Sequence, residues 1–251
     1  MHRDGGVEFI LGMATQESQP DVLVLAGDIC GAEQIENVLA QFYVAFPKAI
    51  ILYVHGNHEF YGSDRKSVVA KTKRAVRGRP RLHWLDCTSV EIENVSFHGT
   101  PLWFRRAPAA PKHQLNDFNL IRDYESWVYR ENERALLFLR HEVQPGDVVI
   151  THHLPTAASI SPQYRGDPLN AFFLCDVEAL MRECRPQLWV HGHGHNSADY
   201  RCGVTHVVAN PCGYPGVYPT GWENGRFDPN LLIEVAENDS VVAKTATKGR
   251  S

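Results

Sequence analysis

Four polar clusters in this sequence carry residue types suited to metal chemistry, and each directly follows an apolar run. Gly27-Asp28 follows the run 22–26, and His55-Gly56-Asn57-His58-Glu59 follows 49–54. Thr151-His152-His153 follows 148–150, and His191-Gly192-His193-Gly194-His195-Asn196 follows 188–190. Aspartate, the asparagine amide oxygen and imidazole are borderline-to-hard ligands that suit Mn, Fe, Zn or Co. Histidine takes 13 of 251 places, six of them between 152 and 206. It is the commonest metal ligand and the side chain most easily tuned near neutral pH. In His193-Gly194-His195 the i, i+2 spacing on an extended segment points both imidazoles the same way, toward two adjacent cations. Gly27, Gly56 and Gly192 let the backbone turn sharply where a side chain would crowd the site.

The elements that must position these groups follow from the apolar pattern. The four runs above, with 95–99, 205–209 and 231–235, read as strands, mostly continuous β-branched runs buried on both faces. Helical stripes fall at 34–46, 65–76, 131–140 and 176–183. Strands alternating with helices argue an α/β architecture, and ligands in open α/β sheets bind outside the carboxyl ends of strands. Four clusters distant in sequence are therefore expected to converge. Residues 100–131 combine Pro101, Pro108 and Pro111 with Trp103, Phe104, Phe118, Tyr124 and Trp127, with little periodicity. Such a stretch reads as a lid or substrate loop, and its Arg105, Arg106, Asn116 and Asp117 as possible substrate contacts. With no repeat and no linker, residues 1–251 read as a single domain.

The ordered set of clusters resembles the calcineurin-like metallophosphoesterase family. That pattern runs D-x-H, G-D, G-N-H-[D/E], a histidine after a strand, then G-H-x-H. The last four are present as Gly27-Asp28, Gly56-Asn57-His58-Glu59, Thr151-His152-His153 and Gly192-His193-Gly194-His195. The resemblance implies a four-layer α/β/β/α sandwich, two mixed sheets flanked by helices. It implies a centre of up to two divalent cations, with Asp28 bridging them. Asn57, His152 and His193 would hold the second cation and His195 the first, while His58 would serve as general acid or charge stabiliser. The implied reaction is hydrolysis of a phosphomonoester or phosphodiester by in-line attack of metal-bound hydroxide. The partner is a small phosphorylated substrate. The D-x-H motif is the departure. Aligned on Glu8-Phe9, Asp4 stands at the aspartate and Gly6 at the histidine. Three accounts stand open: a start set downstream of the true one, a shortened, weak or inactive version, or ligands supplied by another segment. The expectation is one well-formed cation position and one impaired.

Composition narrows the alternatives. Hydrophobic content of 43% and charged content of 22% are those of a globular chain. No uncharged apolar run approaches the ~20 residues of a membrane helix. The six cysteines form no C-x-x-C pair, so reduced thiols in a cytoplasmic protein are expected. Lys71, Lys73, Arg74, Arg77, Arg79 and Arg81 raise a nucleic-acid reading. The net charge of -4 opposes it, and cations suit a helix C-terminus. A degenerate phosphoesterase that binds metal or a phosphorylated ligand without turnover is the main rival. His55 and His191 are expected to orient ligands, and His153 to approach substrate.

Overall fold

A computed structural model describes residues 20–214 and 223–237. Strands β1 (Val22–Leu25), β2 (Ile50–Tyr53) and β3 (Leu82–Trp84) pair in parallel in the order β1-β2-β3. Six more strands form the larger sheet: β4 (Thr88–Ile92), β5 (Val95–Thr100), β6 (Val148–Thr151), β7 (Leu188–Val190), β8 (Ala198–Cys202) and β9 (Thr205–Ala209). Their order is β4-β5-β6-β7-β9-β8, parallel at the centre and antiparallel at both edges.

Alternation along the strands builds the layers. Val22 and Val24 of β1 and Leu52 of β2 face Phe97, Val148, Ile150 and Val208 of the larger sheet. The other faces are covered by helices. Leu25, Ile51 and Tyr53 pack with Ile35, Leu39 and Phe42 of α1 (Ile35–Ala45) and Val68 of α2 (Arg65–Val76). Val149, Trp189 and Val207 pack with Ala135 and Leu139 of α4 (Tyr124–Glu142) and Met181 of α6 (Glu178–Cys184). Two sheets face each other with helices outside, as the four-layer pattern requires. Each fully buried Leu or Ile in these layers contributes about 1.5–3 kcal/mol relative to exposure.

Three strands carry no clear sequence signal. β3 has three residues, and β4 and β8 lie on the edges with alternating exposed positions. The run 231–235 does not join a ladder. Ile233 and Val235 pack against the inter-sheet core while Leu232 is exposed, and Gln187 exchanges hydrogen bonds with the Ala236 backbone.

Segment 100–131 contains α3 (Asp117–Leu120) and the start of α4. Its Trp103, Phe104, Tyr124 and Trp127 are buried, in edge-on and tilted contacts with one another, Phe60 and Phe172. Irregular backbone and core aromatics coexist here because the rings fill the space between α1, α2 and α4. A fifth helix, α5 (Asn170–Phe173), supplies Phe172.

The basic run is largely engaged within the fold. Lys71 pairs with Glu33 at 2.6 Å and Arg74 with Glu36 at 2.8 Å. Arg81 donates to the Phe46 and Ala49 carbonyls and stacks on Tyr43. All six cysteines are free thiols. Among the described residues, no helix is long and apolar enough to cross a membrane. Asp4 and Gly6 lie outside the described residues.

Candidate metal centre

The carboxyl ends of β1, β2, β6 and β7 bring Asp28, Asn57, His152 and His193 together. His152 is fully buried, and its Nε2 is the hub. It lies 3.1 Å from Asn57 Oδ1, 3.1 Å from His193 Nδ1 and 3.3 Å from Asp28 Oδ2. Its other nitrogen, Nδ1, donates to the Ala26 carbonyl at 2.7 Å. That bond fixes the ring and directs the second nitrogen inward. The Asn57 amide is turned the same way. Its Nδ2 donates to Asp117 Oδ1 at 2.8 Å, so Oδ1 faces His152. A carboxylate, an amide oxygen and two imidazoles thus aim acceptor atoms at one point. Only a shared proton or a cation makes that arrangement attractive. Asp28, His152 and His193 offer atoms all within 4.8 Å of one another, and with Asn57 the set suits a borderline divalent ion.

The backbone is bent to achieve this. Asp28 has φ 58° and His193 φ 62°. Non-glycine residues in this region carry strain, which clusters at functional sites. Glycine is needed where the strand ends touch. A Cβ on Gly56 would lie 2.1 Å from Asp28 Oδ1 and 2.6 Å from its backbone nitrogen. A Cβ on Gly27, at φ 86°, would lie 2.5 Å from both Gly56 N and His152 Nδ1.

The electrostatics follow from burial and proximity. Burial pushes the Asp28 carboxyl up, but His152, His58 and His193 together hold it well below the usual carboxylate range. Burial lowers His152, but the Asp28 charge and hydrogen bond outweigh it and raise the imidazole. Burial, His153 and His152 hold His193 well below the imidazole range, which keeps it neutral and ligand-competent. The His193 ring stacks on Phe173 at 4.4 Å.

Glu59 had no assigned role at the sequence level, yet it clamps the loop. Its carboxylate accepts from Asp28 N at 3.0 Å, Ile29 N at 2.8 Å and Gly56 N at 2.8 Å. Burial and the Asp28 charge push it up to about 7. His58 sits at the edge of the cluster. Its backbone N–H donates to Asp28 Oδ1 at 2.9 Å, and its Nε2 lies 4.0 Å from Asp28 Oδ2. The ring stacks on Tyr61 at 4.4 Å and 24°.

The family model for calcineurin-like phosphoesterases matches residues 4–197. The chain belongs to that family. Among solved structures, phosphopantetheinyl hydrolase from Mycobacterium tuberculosis is similar in fold, with a TM-score of 0.63 at 14% identity. The match covers 85% of this chain and 86% of that one. A second solved structure gives a TM-score of 0.53 at 17% identity, over 83% and 86% of the two chains. No curated protein sequence matches. Members of the family bind divalent metals, and the four-atom cluster stands where the family motifs meet.

His195 is not brought into the cluster of Asp28, His152 and His193. Its Nδ1 pairs with Glu223 Oε2 at 2.8 Å, its side chain is 35% exposed, and it meets Tyr214 edge-on at 4.6 Å. Tyr214 also faces His58, at 6.2 Å.

Several expected neighbours have other roles. His55 does not orient a ligand. It bonds Thr72 Oγ1 at 2.7 Å and packs among Tyr53, Phe60 and Trp84, where burial lowers it to about 3. His191 bonds Ser159 Oγ at 2.8 Å and the Gly192 carbonyl at 2.9 Å, so it braces the turn before His193. His153 is wholly buried against His193, with Nδ1 on the Pro101 carbonyl, and cannot meet solvent. Arg105 and Arg106 are exposed, directed at Asp176 and the Tyr129 ring. Asn116 is exposed, whereas Asp117 is buried and touches Asn57, Tyr61 and Tyr124. The sequence marked Asp117 as a possible substrate contact rather than a buried partner of Asn57, and no local pattern marked Glu223, because both lie in aperiodic segments.

Proposed function

We propose that the chain hydrolyses a phosphomonoester or phosphodiester of a small phosphorylated substrate, using divalent cations held at the strand ends. One observation carries the reading: Asn57 Oδ1, His193 Nδ1 and Asp28 Oδ2 all lie within 3.3 Å of His152 Nε2, with the Asn57 amide NH₂ turned away onto Asp117. Asp28, Asn57, His152 and His193 would hold the principal cation, Mn, Fe, Zn or Co by donor chemistry. His195 is the residue that a second position would take. With Nδ1 committed to Glu223, its Nε2 is the nitrogen left for a ligand role. A bound cation supplies neutralisation of phosphoryl charge and activation of water.

The protein's own groups do the rest. Asp28 sets the negative pole that retains cations. His58, at the edge of the cluster with Nε2 4.0 Å from Asp28 Oδ2, delivers a proton to the leaving oxygen. Tyr61 supports the His58 ring from beneath and fixes its plane. The apolar wall of Phe173 and the buried His153 shield the ligand face from water. Free thiols fit a cytoplasmic setting.

The test is turnover of bis(p-nitrophenyl) phosphate and p-nitrophenyl phosphate by purified protein with added Mn²⁺. Cation-dependent hydrolysis of either is expected. Tight Mn²⁺ binding without hydrolysis of either would replace this reading with the metal-binding, non-hydrolytic one.

A further inference from the structure

We infer that Asp117 is a positioning residue that locks Asn57 and the His58 platform into their working orientations. The inference rests on the cation site proposed above. An asparagine amide is nearly symmetric in shape, so packing alone does not decide whether its oxygen or its nitrogen faces a cation. Here the choice is made from behind. Asp117 is wholly buried at the start of α3. Its Oδ1 accepts from Asn57 Nδ2 at 2.8 Å and from Tyr61 OH at 2.7 Å, and its Oδ2 accepts from Tyr124 OH at 3.2 Å. Asn57 Nδ2 also donates to Tyr61 OH at 3.3 Å. Both amide protons are thereby spent on the side away from His152. A flipped amide would forfeit both bonds and press its oxygen against a carboxylate.

A carboxylate suits this task because it only accepts. All three neighbours are donors, and none requires Asp117 to give a proton. The same group reaches the second functional side chain through Tyr61. That tyrosine gives its hydroxyl to Asp117 and its ring face to His58. Tyr124, at the first turn of α4, closes the third side. The aperiodic segment between β5 and α4 is thus tied to both the cation ligand and the proton donor. Asp117 touches neither substrate nor cation on this account and acts through Asn57 and Tyr61.

The test exploits the symmetry argument. Mn²⁺ affinity is measured by titration calorimetry on the full chain, as purified and as D117N. Near-UV circular dichroism reports the fold of each. D117N should bind Mn²⁺ at least about tenfold more weakly, within the 10–100-fold range typical of groups behind a metal ligand. The exchanged pair N57D/D117N should recover to within about threefold of the unaltered chain, because a carboxylate at 57 has two like oxygens and needs no lock. A merely structural carboxylate would leave the exchanged pair as weak as D117N. If D117N does not fold, the exchanged pair is compared with the unaltered chain directly, and a tenfold deficit there overturns the inference. Unchanged binding by folded D117N overturns it as well. No Mn²⁺ binding by the unaltered chain would remove the cation site and this inference together.

Discussion

His193 and His195 stand two residues apart and meet opposite environments. His193 is 8% exposed, stacked on Phe173, with Nδ1 aimed at the His152 hub. The His195 side chain is 35% exposed and answers to one carboxylate, Glu223, from a distant segment. The first environment is assembled by four strand ends whose spacing is set by glycine contacts. The second depends on a pair of side chains near the surface. A ligand geometry held by buried backbone costs little to organise when a cation arrives. One held by an exposed pair must be ordered at that moment. The contrast predicts one tight cation position and one weak one.

The sharpest way to break this picture is Asp28→Asn. The substitution keeps the shape and removes the charge that stabilises His152 and faces His58. Mn²⁺ affinity and Mn²⁺-dependent hydrolysis should both fall by more than about a hundredfold, beyond the range typical of groups outside the ligand set. Calorimetry and the nitrophenyl phosphate assays read both. Retention of tight binding would show that the buried cluster is not the principal site.

His58→Asn separates chemistry from binding. The ring stands beside the cluster with Nε2 4.0 Å from Asp28 and outside the hub contacts. Its loss should lower kcat by about 10²–10⁴-fold, the usual value of a positioned proton donor. Mn²⁺ affinity should stay within about threefold, about 0.7 kcal/mol. A matching loss of affinity would move His58 from proton transfer into cation binding.

Glu59→Gln probes how the buried half is held. The carboxylate accepts three backbone N–H bonds, and a glutamine must turn an NH₂ toward at least one donor. The unsatisfied pair should cost about 1–3 kcal/mol in urea unfolding of the metal-free protein. An unchanged unfolding midpoint would mean that the loop is fixed by its glycines alone.

These residues also show what was legible beforehand. The strands β1, β2, β6 and β7 were readable because buried parallel strands are continuous apolar runs, and the ligand clusters follow them directly. Asp28, Asn57, His152 and His193 converge for that reason. The edge strands β4 and β8 were not readable, since half their residues face solvent and carry no apolar run. His55 and His153 show the limit of motif adjacency. Each neighbours a motif residue, yet the backbone just past the strand end turns its ring into packed core. Asp117 was visible as a loop residue but not as a buried one, because the aromatics around it obey tertiary packing rather than a period.

Acid should expose the buried histidines. Burial lowers His55 to about 3 and His191 to about 4, against about 6.5 in an unfolded chain. Between about pH 6.5 and 4 the unfolded chain binds these protons and the folded one does not. Stability therefore falls as pH falls through that window and levels off above it. Each group contributes a slope of about 1.4 kcal/mol per pH unit. His55→Gln, which can still bond Thr72, should flatten the curve of unfolding free energy against pH by one such slope. An unaltered curve would mean that His55 is protonated in the fold.

The smallest effect is expected at the exposed pair. Glu223→Gln removes the charge that holds His195 Nδ1 while leaving a hydrogen-bond acceptor in place. An ion pair with this much exposure contributes about 0–1 kcal/mol, so the melting temperature should barely move. The tight Mn²⁺ event should change by less than about threefold, about 0.7 kcal/mol. Only a second, weaker event should respond, and His195→Ala should abolish that event alone. A tenfold loss in the tight event would bring His195 into the principal ligand set and erase the distinction between the two histidines. An unchanged weaker event in both variants would place the second cation elsewhere.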